Sequence, residues 1–541
     1  MAKKTDTTAS VLAEIAAYGE FLPGSVRRTT EKRMRKNGKV KVYEAQPIYT
    51  YTDAASGKQK SKRIPKAAYG RVLDLTRKYK GMKKLIARFE AAAVAENLDD
   101  GSKKKLLALN VGICCASIAR VVDEFRNRSA DATAEDLDRK VAEACREDAR
   151  AQISAMASAV AESCKAEGTV SHRAASVLTC TGRVDFRYPY APKAGVCRLA
   201  LEKLGCAAGE TRATPEARRM VAEASAQLDS FQEAQTFLKE NVGMVASVTS
   251  MKAMTRKAAE KTRKAWIDGL LVPCTEARPS KKMPKGSRHV GPTMLVETDG
   301  TGAPCTHADT DGVKGKDGEE AGTREIKVVA IGIYTHVDRN GRPILRRGDV
   351  WYFASECSSD ELESIMNVLA RRRGIGKINR VQFIGDGATW IQKIWKHAFK
   401  KCGAIRTLDF VHAAGYLHKL LEALSKPGEL GIDYKRFKGI LKKWGGASLM
   451  KNLSKTFGAR LDGIGGDAAK ALAYLRERVW MMDYRSLRKR GYYIGSGIIE
   501  SACKTLVAAR CKLAGMHWRH KNAAGIALLR ATLRSNFRIA A

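Results

Sequence analysis

The sequence predicts a mainly α-helical amino-terminal region followed by an α/β core that an α-helical insertion interrupts. Apolar residues recur at spacings of three and four through much of residues 66–170, as in amphipathic helices. From residue 293 onward, β-branched runs alternate with helical patterns, as expected for strands and helices packed in layers. A second helical block, residues 425–490, divides this α/β region. With 541 residues, the chain is long enough for roughly two to four domains.

The charge of the chain indicates a polyanionic partner. The sequence has 97 Lys and Arg against 57 Asp and Glu, a formal net charge of +40 at pH 7. This excess is more than solubility requires and favours binding to a nucleic acid. Charge alone does not separate an enzyme from a ribosome-associated or simply basic protein, so these alternatives stay open.

The cysteines and the apolar segments predict a location inside the cell. The 13 cysteines are scattered, which argues against the disulfide framework of a small secreted protein. No apolar run reaches the length of a membrane span, and the first residues lack the apolar core of a signal peptide. We therefore expect a cytoplasmic protein, bound to the nucleoid if its partner is DNA.

The amino-terminal part is predicted to begin with two regions of different character. Residues 1–65 are rich in Lys, Arg, Thr and Gly, and they predict a loosely ordered basic arm. Residues 66–170 predict helices, which could form a bundle or an oligomerisation arm.

A small β unit opens the next region, residues 171–272. Its strand signal is an alternation of apolar and charged residues around Val184, Phe186 and Tyr188. Cys197 and Cys206 follow in the same unit. They lack a Cys-x-x-Cys pair, so their spacing favours structural thiols over zinc ligands, although zinc binding stays open.

Helix start and stop signals then predict a helix-turn-helix. Thr214 is an expected N-cap with Pro215 at the first helical position, Gly243 ends a second helix, and Ser247 starts a third. The third helix carries cations that suit groove and phosphate contacts, namely Lys252, Arg256, Lys257 and Lys261. The alternative is the basic face of a plain helical bundle. Residues 273–292, rich in Pro, Lys and Gly, predict a linker.

Residues 293–424 predict the first part of a ribonuclease H-like core. Three strand patterns come first, in the segments TMLVETDG, REIKVVAIGIYTHV and DVWYFASE. A helix with Ser359 as its expected cap follows, and then strand, helix, strand and helix. This order of elements is that of the ribonuclease H-like fold, in which the first strand is central and the fourth lies beside it.

Two aspartates lie at strand ends in this predicted core. Asp299 follows the first strand pattern and Asp386 the fourth, and neighbouring glycines would let a substrate backbone approach closely. Carboxylates that converge at one edge of a sheet can hold two Mg²⁺ ions roughly 4 Å apart. Such a pair of ions clamps the attacking and leaving oxygens during phosphodiester cleavage or transfer.

Glu500 is the third acid that this arrangement requires. It is the only carboxylate side chain between Arg485 and Ala541. The apolar spacing of the residues that follow places it in the first turn of a helix capped by Ser496 or Gly497. Neighbouring cations favour its ionised form, which a metal ligand requires, and can bind DNA phosphates: Lys504, Arg510, Lys512, Arg519 and Lys521. The alternative is a glutamate that only compensates the helix dipole.

Residues 425–490 predict an α-helical insertion between the last core strand and residues 491–541, which contain the Glu500 helix. Two tryptophans of this insertion, Trp444 and Trp480, are expected in its hydrophobic core rather than as base-stacking groups.

Six sequence blocks within residues 290–541 carry a resemblance to a known family. In chain order they are ETDGTG, REIKV, FIGDGATWI, LDFVHAAGYLHKL, GYYIGSGIIESACKTLVAAR and KLAGMHWRHKNAAGIALLRA. With these blocks the chain resembles DDE transposases of the ISKra insertion-sequence family and, more distantly, Mutator-type transposases. The family's three acids fall on Asp299, Asp386 and Glu500. The Asp-x-x-His signature shared with Mutator-type enzymes falls on Asp409 and His412.

The resemblance implies a prokaryotic transposase that binds double-stranded DNA at terminal inverted repeats and at a target. The three acids would bind two Mg²⁺ ions, for which Mn²⁺ can substitute. One ion would activate water to nick the element end, and the freed 3′-OH would then attack target DNA. Asp409 and His412 would lie near the metal edge, where His412 could orient a phosphate or Asp409 anchor the fold, and a purely structural histidine is the alternative.

The mechanism also implies an assembly and leaves two rival functions. Two DNA ends must be processed together, so a homodimer or larger complex on DNA is expected, without membrane association. The rivals are a domesticated, non-catalytic DNA-binding protein and a ribonuclease H-like structure-specific nuclease. Three intact acids argue against simple binding, because clustered carboxylates repel DNA.

Overall fold

The computed structural model describes five strands within residues 25–63, and residues 134–541 without 193, 207–208, 274–282, 316–317 and 347. The chain divides into two compact units, Met1–Asn127 and Arg128–Ala541. The helices predicted for residues 66–133 lie outside the described residues.

The first unit contains strands where the sequence predicts a loosely ordered arm. The described strands are β1 (Ser25–Arg27), β2 (Thr30–Met34), β3 (Val40–Glu44), β4 (Ile48–Thr52) and β5 (Gln59–Arg63). They pair antiparallel in the order β1-β4-β5 and as β2-β3. The basic composition of this segment concealed its strand signal, which is the alternation of β-branched or aromatic residues with polar ones in VKVYE and IYTYT.

The second unit begins with helices and one hairpin. The hairpin pairs β6 (Ser171–Thr179) with β7 (Gly182–Tyr190). Strand β6 was not predicted, because it lacks alternation: its first four residues are exposed and its last three are buried. The helices are α1 (Ala134–Glu162), α2 (Val196–Lys203), α3 (Pro215–Gln227), α4 (Phe231–Val242) and α5 (Val248–Asp268).

The predicted boundaries of α3, α4 and α5 are confirmed. The Thr214 side chain accepts a hydrogen bond from the Ala217 amide and Pro215 opens α3. Gly243 ends α4 with a φ of 71°, a left-handed conformation that glycine adopts without a steric penalty. Ser247 caps α5.

A five-stranded mixed sheet forms the centre of the second unit. Its strands are β8 (Arg288–Pro304), β9 (Thr323–Val337), β10 (Val350–Ser355), β11 (Arg380–Gly385) and β12 (Ile405–Leu408). The spatial order is β10-β9-β8-β11-β12. Strand β9 is antiparallel to both of its neighbours, whereas β8, β11 and β12 run parallel. The longest strand, β8, is therefore central.

Strand β8 differs at both ends from its predicted extent. It begins at Arg288, inside the segment predicted as a linker, and it continues beyond Asp299 to Pro304, which pairs with Thr323. Pairing with β9 holds the Gly-rich segment after Asp299 extended. Pairing of β8 with β11 nevertheless stops at Glu297 and Ile384. On the β11 side, the hydrogen-bonded pairing of the central strand thus ends just before Asp299.

Helices cover this sheet, and apolar side chains from both strands and helices form the core between them. They include α6 (His307–Thr310), α7 (Ser359–Arg372), α8 (Thr389–Ile394), α9 (Phe410–Leu424), α15 (Gly497–Ala502), α16 (Ala509–Cys511) and α17 (His520–Arg534), with short 3₁₀ turns at Ile375–Lys377 and Lys400–Cys402 and π turns at Trp395–Phe399 and Cys503–Ala508. The cap of α7 is Ser358, in a capping box with Glu361, rather than the predicted Ser359. Val296, Phe353 and Phe383 are fully buried.

The α-helical insertion lies between α9 and α15. Its elements are α10 (Leu430–Trp444), α11 (Gly446–Phe457), α12 (Ala459–Asp462), α13 (Gly466–Glu477), a 3₁₀ turn (Val479–Met481) and α14 (Tyr484–Lys489). Together with α9 they bury a common core that includes Leu420, Phe437, Leu449, Leu475 and Tyr484. Fully burying each of these side chains stabilises the fold by roughly 1.5–3 kcal/mol.

The expected core positions of the two tryptophans are wrong. Trp444 is 42% exposed and Trp480 is 53% exposed. Trp444 is the last residue of α10, beyond the last buried turn, and the Arg485 guanidinium lies 4.4 Å from its ring centroid. Trp480 packs one face against Trp395 at 5.5 Å between ring centroids. Apolar periodicity cannot distinguish a terminal position of a helix from an internal one.

Among the described residues, no helix has the length and the apolar composition that crossing a membrane requires.

Candidate functional site

Three aspartates lie where the pairing between the parallel strands of the sheet ends. Glu297 pairs with Ile384, so two residues further along each strand Asp299 and Asp386 lie level with each other. Gly385 pairs with Leu408, and the Asp409 amide donates to the Gly385 carbonyl at 3.1 Å. Asp386 and Asp409 therefore also lie at one level. The parallel arrangement brings all three acids together because pairing of β11 with β8 and with β12 ends at nearly the same level.

Asp299 and Asp386 interact electrostatically. Both side chains are partly buried, and each accepts one backbone hydrogen bond: Asp299 Oδ1 from Gly300 (2.8 Å) and Asp386 Oδ1 from Ala388 (2.9 Å). Burial raises the pKa of Asp299 to about 6, and the negative charge of Asp386 contributes to this rise. A divalent cation between the two carboxylates would relieve this repulsion. Two oxygen donors of this kind fit the ligand preference of Mg²⁺.

Asp409 has a different environment, because its carboxylate is already fully engaged. Its side chain is buried, and it accepts hydrogen bonds from the Ser496 amide (2.7 Å), the His412 amide (2.9 Å) and His412 Nδ1 (2.9 Å). It thereby caps α9 and ties the end of β12 to the segment that leads into the Glu500 helix. These contacts are those of an anchoring residue.

The His412 imidazole lies between this anchor and the other two acids. Its side chain is 45% exposed. The hydrogen bond to Asp409 raises the pKa of His412, and the charges of Asp386 and Asp299 raise it further. A cationic imidazole at this position can donate Nε2–H to an anionic group that approaches the two acids.

Glu500 lies in the first turn of α15, as predicted, and its carboxylate contacts Lys504. The Oε1 to Nζ distance is 2.8 Å, and the side chain is 52% exposed. Ser496 holds the N-cap position without a side-chain hydrogen bond. One turn after Glu500, the pKa of Cys503 is raised to about 12, chiefly by burial and then by the charges of Asp299 and Glu500. The Glu500 helix thus faces the strand that carries Asp299.

The three predicted acids do not form a closed ligand cluster in this structure. Within the described ranges, the one group of three metal-type side chains whose ligand atoms all lie within 4.8 Å is His307, Asp311 and Glu320, which is exposed and includes none of the three predicted acids. Glu500 would have to exchange Lys504 for a metal ion to complete the site.

Of the two predicted structural cysteines, Cys206 is buried and its thiol donates to the Ala213 carbonyl at 3.2 Å.

Sequence reasoning missed Glu297, which is fully buried in β8. Its Oε2 accepts a 2.8 Å hydrogen bond from the Ile499 amide, directly before Glu500, and its Oε1 has no partner. Burial raises the pKa of Glu297 to about 8, so at neutral pH this side chain is largely protonated. It joins the central strand to the start of the Glu500 helix. A glutamate inside the apolar run TMLVETDG was the signal that could have identified it.

The helical insertion holds the turn that carries Asp386. The Gly387 amide donates to the Tyr474 hydroxyl (3.0 Å), and Arg478 Nη2 donates to the Gly387 carbonyl (3.0 Å). From β12, the buried Arg406 donates Nη2–H to the Asp386 carbonyl at 2.5 Å. A Cβ at position 387 would lie only 2.2 Å from Arg478 Nε, so this contact requires glycine.

If Asp299 and Asp386 bind Mg²⁺, replacing Arg478 with Ala is expected to raise the Mg²⁺ concentration for half-maximal binding by about 10-fold to 100-fold, as is typical of groups that orient metal ligands. The cause would be a loosened Asp386 turn. The measurement is a Mg²⁺ titration by isothermal calorimetry, with Arg476→Ala as the control because Arg476 is an exposed cation near the end of α13, the helix that stops just before Arg478. An unchanged half-maximal concentration in Arg478→Ala would contradict this role.

The predicted DNA-binding cations come together from two distant segments. A cavity of about 580 Å³ is lined by residues of α5 and of the carboxyl-terminal segment (residues 491–541), including Lys252, Arg256, Arg510, Arg519 and Lys521. Four other predicted cations have polar partners: Lys257 with Glu260, Lys261 with Glu210, Lys504 with Glu500 and Lys512 with Thr301. Arg510 is only 1% exposed, so it is not the surface residue that the sequence suggested.

The sequence matches no model in a scan of protein families, and a search of curated proteins returns no match. The assignment of a function to this chain therefore depends on the geometry of the side chains at the sheet edge and around the basic cavity.

Proposed function

We propose that the chain is a DNA transposase that binds the ends of an insertion sequence and cleaves and joins DNA by a DDE two-metal mechanism with Mg²⁺. One observation carries the proposal: Asp299 and Asp386 lie level on neighbouring parallel strands, and the helix with Glu500 packs against the same central strand. Two carboxylates that repel each other would be stabilised by a metal ion bound between them. Metal-dependent phosphodiester chemistry is therefore the function that this arrangement supports best.

The sheet supports a ribonuclease H-like fold for this core. Numbered along the chain, its strands lie in the order third, second, first, fourth, fifth, and the second is antiparallel to its neighbours. This is the strand arrangement of that fold. The α-helical insertion between the fifth strand and the Glu500 helix and the six sequence blocks also agree with the resemblance to ISKra-type transposases.

Asp299, Asp386 and Glu500 would hold the ions, and Mg²⁺ would activate the attacking oxygen and stabilise the leaving oxygen of the phosphodiester. The protein's own groups would prepare the site. His412, as a cation, would orient a phosphate oxygen, and Lys512, which donates to Thr301 at 2.9 Å beside Asp299, would hold the DNA backbone. Asp409 and Glu297 would fix the strands and the Glu500 helix in register.

The partners follow from this function. Double-stranded DNA is the proposed ligand, both as terminal inverted repeats and as target, in the cytoplasm of a prokaryotic cell at the nucleoid. Paired processing of two ends requires a homodimer or larger complex on DNA. Gel filtration with paired ends is expected to show this complex.

Replacing Glu500 with Gln is expected to reduce DNA cleavage and strand transfer at least about 100-fold, because a neutral amide is a poor Mg²⁺ ligand. The test uses labelled DNA from either side of the reading frame, with Mg²⁺ or EDTA. Asp467→Asn is the matched control, since Asp467 is an exposed acid that also pairs with a lysine of its own helix. This control is expected to retain the wild-type rate.

The same experiment separates the alternatives. An active Glu500→Gln variant would show that another acid completes the site. Wild-type protein that binds the ends in Mg²⁺ without cutting them would favour the domesticated DNA-binding protein. Cleavage without joining would favour the structure-specific nuclease.

A further inference from the structure

The cavity between α5 and the carboxyl-terminal segment has an unusual lining. Six of its side chains have a buried polar atom without a hydrogen-bond partner: Thr255 Oγ1, Arg263 Nε, Thr306 Oγ1, Ser355 Oγ, Arg510 Nη2 and Trp518 Nε1. Buried polar atoms are normally paired, so each unpaired atom requires an explanation. All six can donate a hydrogen bond. Because these atoms have almost no accessible surface, a ligand rich in acceptor oxygens would satisfy them after a small movement of the lining side chains.

Arg510 is the residue that points most directly to a charged ligand. Its guanidinium lies between the rings of Phe231 and Trp518, with centroid distances of 5.5 and 5.0 Å. It donates to the Ser225 carbonyl at 3.3 Å and to Met516 Sδ at 3.7 Å, and none of the ion pairs among the described residues includes it. Asp229 and Glu233 act on its charge only from a distance, without a direct contact. A buried cation that lacks a direct ionic partner is costly, and a bound anion would supply one.

The charges around Arg510 also favour an anion. Lys252, Arg256 and Lys521 are cations of the same lining, whereas its acids are Glu260 and Glu356. Glu260 is already paired with Lys257 at 3.1 Å. Arg519 is paired with Asp309 at 3.0 Å, so it contributes less positive charge than the other cations.

The cavity is close to the sheet-edge acids. Ser355 in its wall pairs with Lys327 of β9, which in turn pairs with Gly300 of β8, the residue after Asp299. Two strand spacings correspond to about 10 Å. A strand of DNA that contacts α5 could therefore pass through this cavity toward Asp299.

We propose that this cavity is a phosphate site for the DNA backbone, with Arg510 and Arg256 as its principal contacts. The volume of about 580 Å³ is of the size that holds a nucleotide unit. The unpaired donors and the surrounding cations indicate a phosphate ligand, and the assignment of that phosphate to DNA rests on the proposed function. The cavity joins the predicted recognition helix and the predicted carboxyl-terminal basic segment in one site.

The test measures binding of full-length protein to a labelled duplex by fluorescence anisotropy across a series of NaCl concentrations. In Arg256→Ala, we expect the affinity to fall by about 10-fold and the slope of log K against log salt to decrease by about one, as for one lost phosphate contact. Arg510→Met is expected to show at least the same loss, with folding checked by circular dichroism. Lys264→Ala is the control, because Lys264 is an exposed cation of the same helix that pairs with Asp268 outside the cavity.

Wild-type affinity and slope in Arg256→Ala would overturn the proposal, whether or not Arg510→Met folds. A free anion is the other source of this chemistry, and it is tested by thermal unfolding with inorganic phosphate at constant ionic strength. If phosphate stabilises the wild type but not Arg510→Met, while both bind the duplex equally, the site belongs to a small anion and the DNA assignment is overturned. These measurements record binding and not cleavage. Their outcome for the phosphate site is therefore independent of whether the protein cuts DNA.

Discussion

Replacing Asp386 with Asn is expected to reduce Mg²⁺-dependent cleavage by about 1,000-fold or more, exceeding the loss typical of a group that only orients a ligand. Asn preserves the shape of the side chain and its hydrogen bond to Ala388. It removes the negative charge that raises the pKa of Asp299 and that would attract the metal. The change therefore separates charge from structure. Asp299→Asn is expected to have the same effect.

Binding distinguishes a lost ligand from a damaged fold. The affinity of Asp386→Asn for DNA without Mg²⁺ should equal or slightly exceed that of the wild type, because one carboxylate fewer repels the phosphates. Asp360→Asn is the control, since Asp360 is 75% exposed and pairs with Lys393 at the surface. A wild-type rate in Asp386→Asn would remove Asp386 from the site.

Replacing Asp409 with Ala is expected to lower the free energy of unfolding of the Arg128–Ala541 unit by about 3–5 kcal/mol. The substitution leaves the Ser496 amide, the His412 amide and the His412 ring without their buried acceptor. Urea unfolding at pH 7 measures the difference. Asp483→Ala is the matched control because Asp483 also caps a helix, through the Ser486 amide, but is exposed. A lost cap alone costs about 1 kcal/mol.

The pH dependence of this difference has a defined sign. Burial alone would raise the pKa of Asp409, but hydrogen bonds from His412 and Ser496 hold it below its ordinary value. The contribution of Asp409 is therefore present above the ordinary aspartate pKa and is lost as the pH falls through the lowered value. The pKa of His412 is raised, so the ion-pair part is lost as the pH rises through that value. An equal effect of the two substitutions at every pH would show that Asp409 is only a cap.

The elements that position the acids could be predicted because strong local signals define them. A β-branched strand followed by Gly385, Asp386 and Gly387 specifies a strand end with little ambiguity. The helical segment that starts with α15 and continues through the π turn buries Ile499 and Leu506, as its spacing indicates. Cap residues such as Thr214 and Ser247 act within one helical turn. Such signals do not depend on the rest of the fold.

The features that the sequence did not reveal depend on contacts between distant residues. Tyr474 and Arg478 contact Gly387 from about ninety positions along the chain. The role of Glu297 depends on a hydrogen bond from the Ile499 amide, and the exposure of Trp480 depends on how the insertion packs against Trp395 in the turn after α8. No periodicity encodes these contacts. The cavity around Arg510 likewise forms only where α5 meets the carboxyl-terminal segment.

The hydrogen bond between Glu297 and Ile499 also affects the order in which the protein is completed. It joins residues 202 positions apart, so a long stretch of chain must fold before this contact can form. During synthesis from the amino terminus, α5 and the strand of Asp299 emerge well before Glu500. A growing chain would thus carry Asp299 and Asp386 long before Glu500, and this third predicted acid would be added only after the insertion had been made.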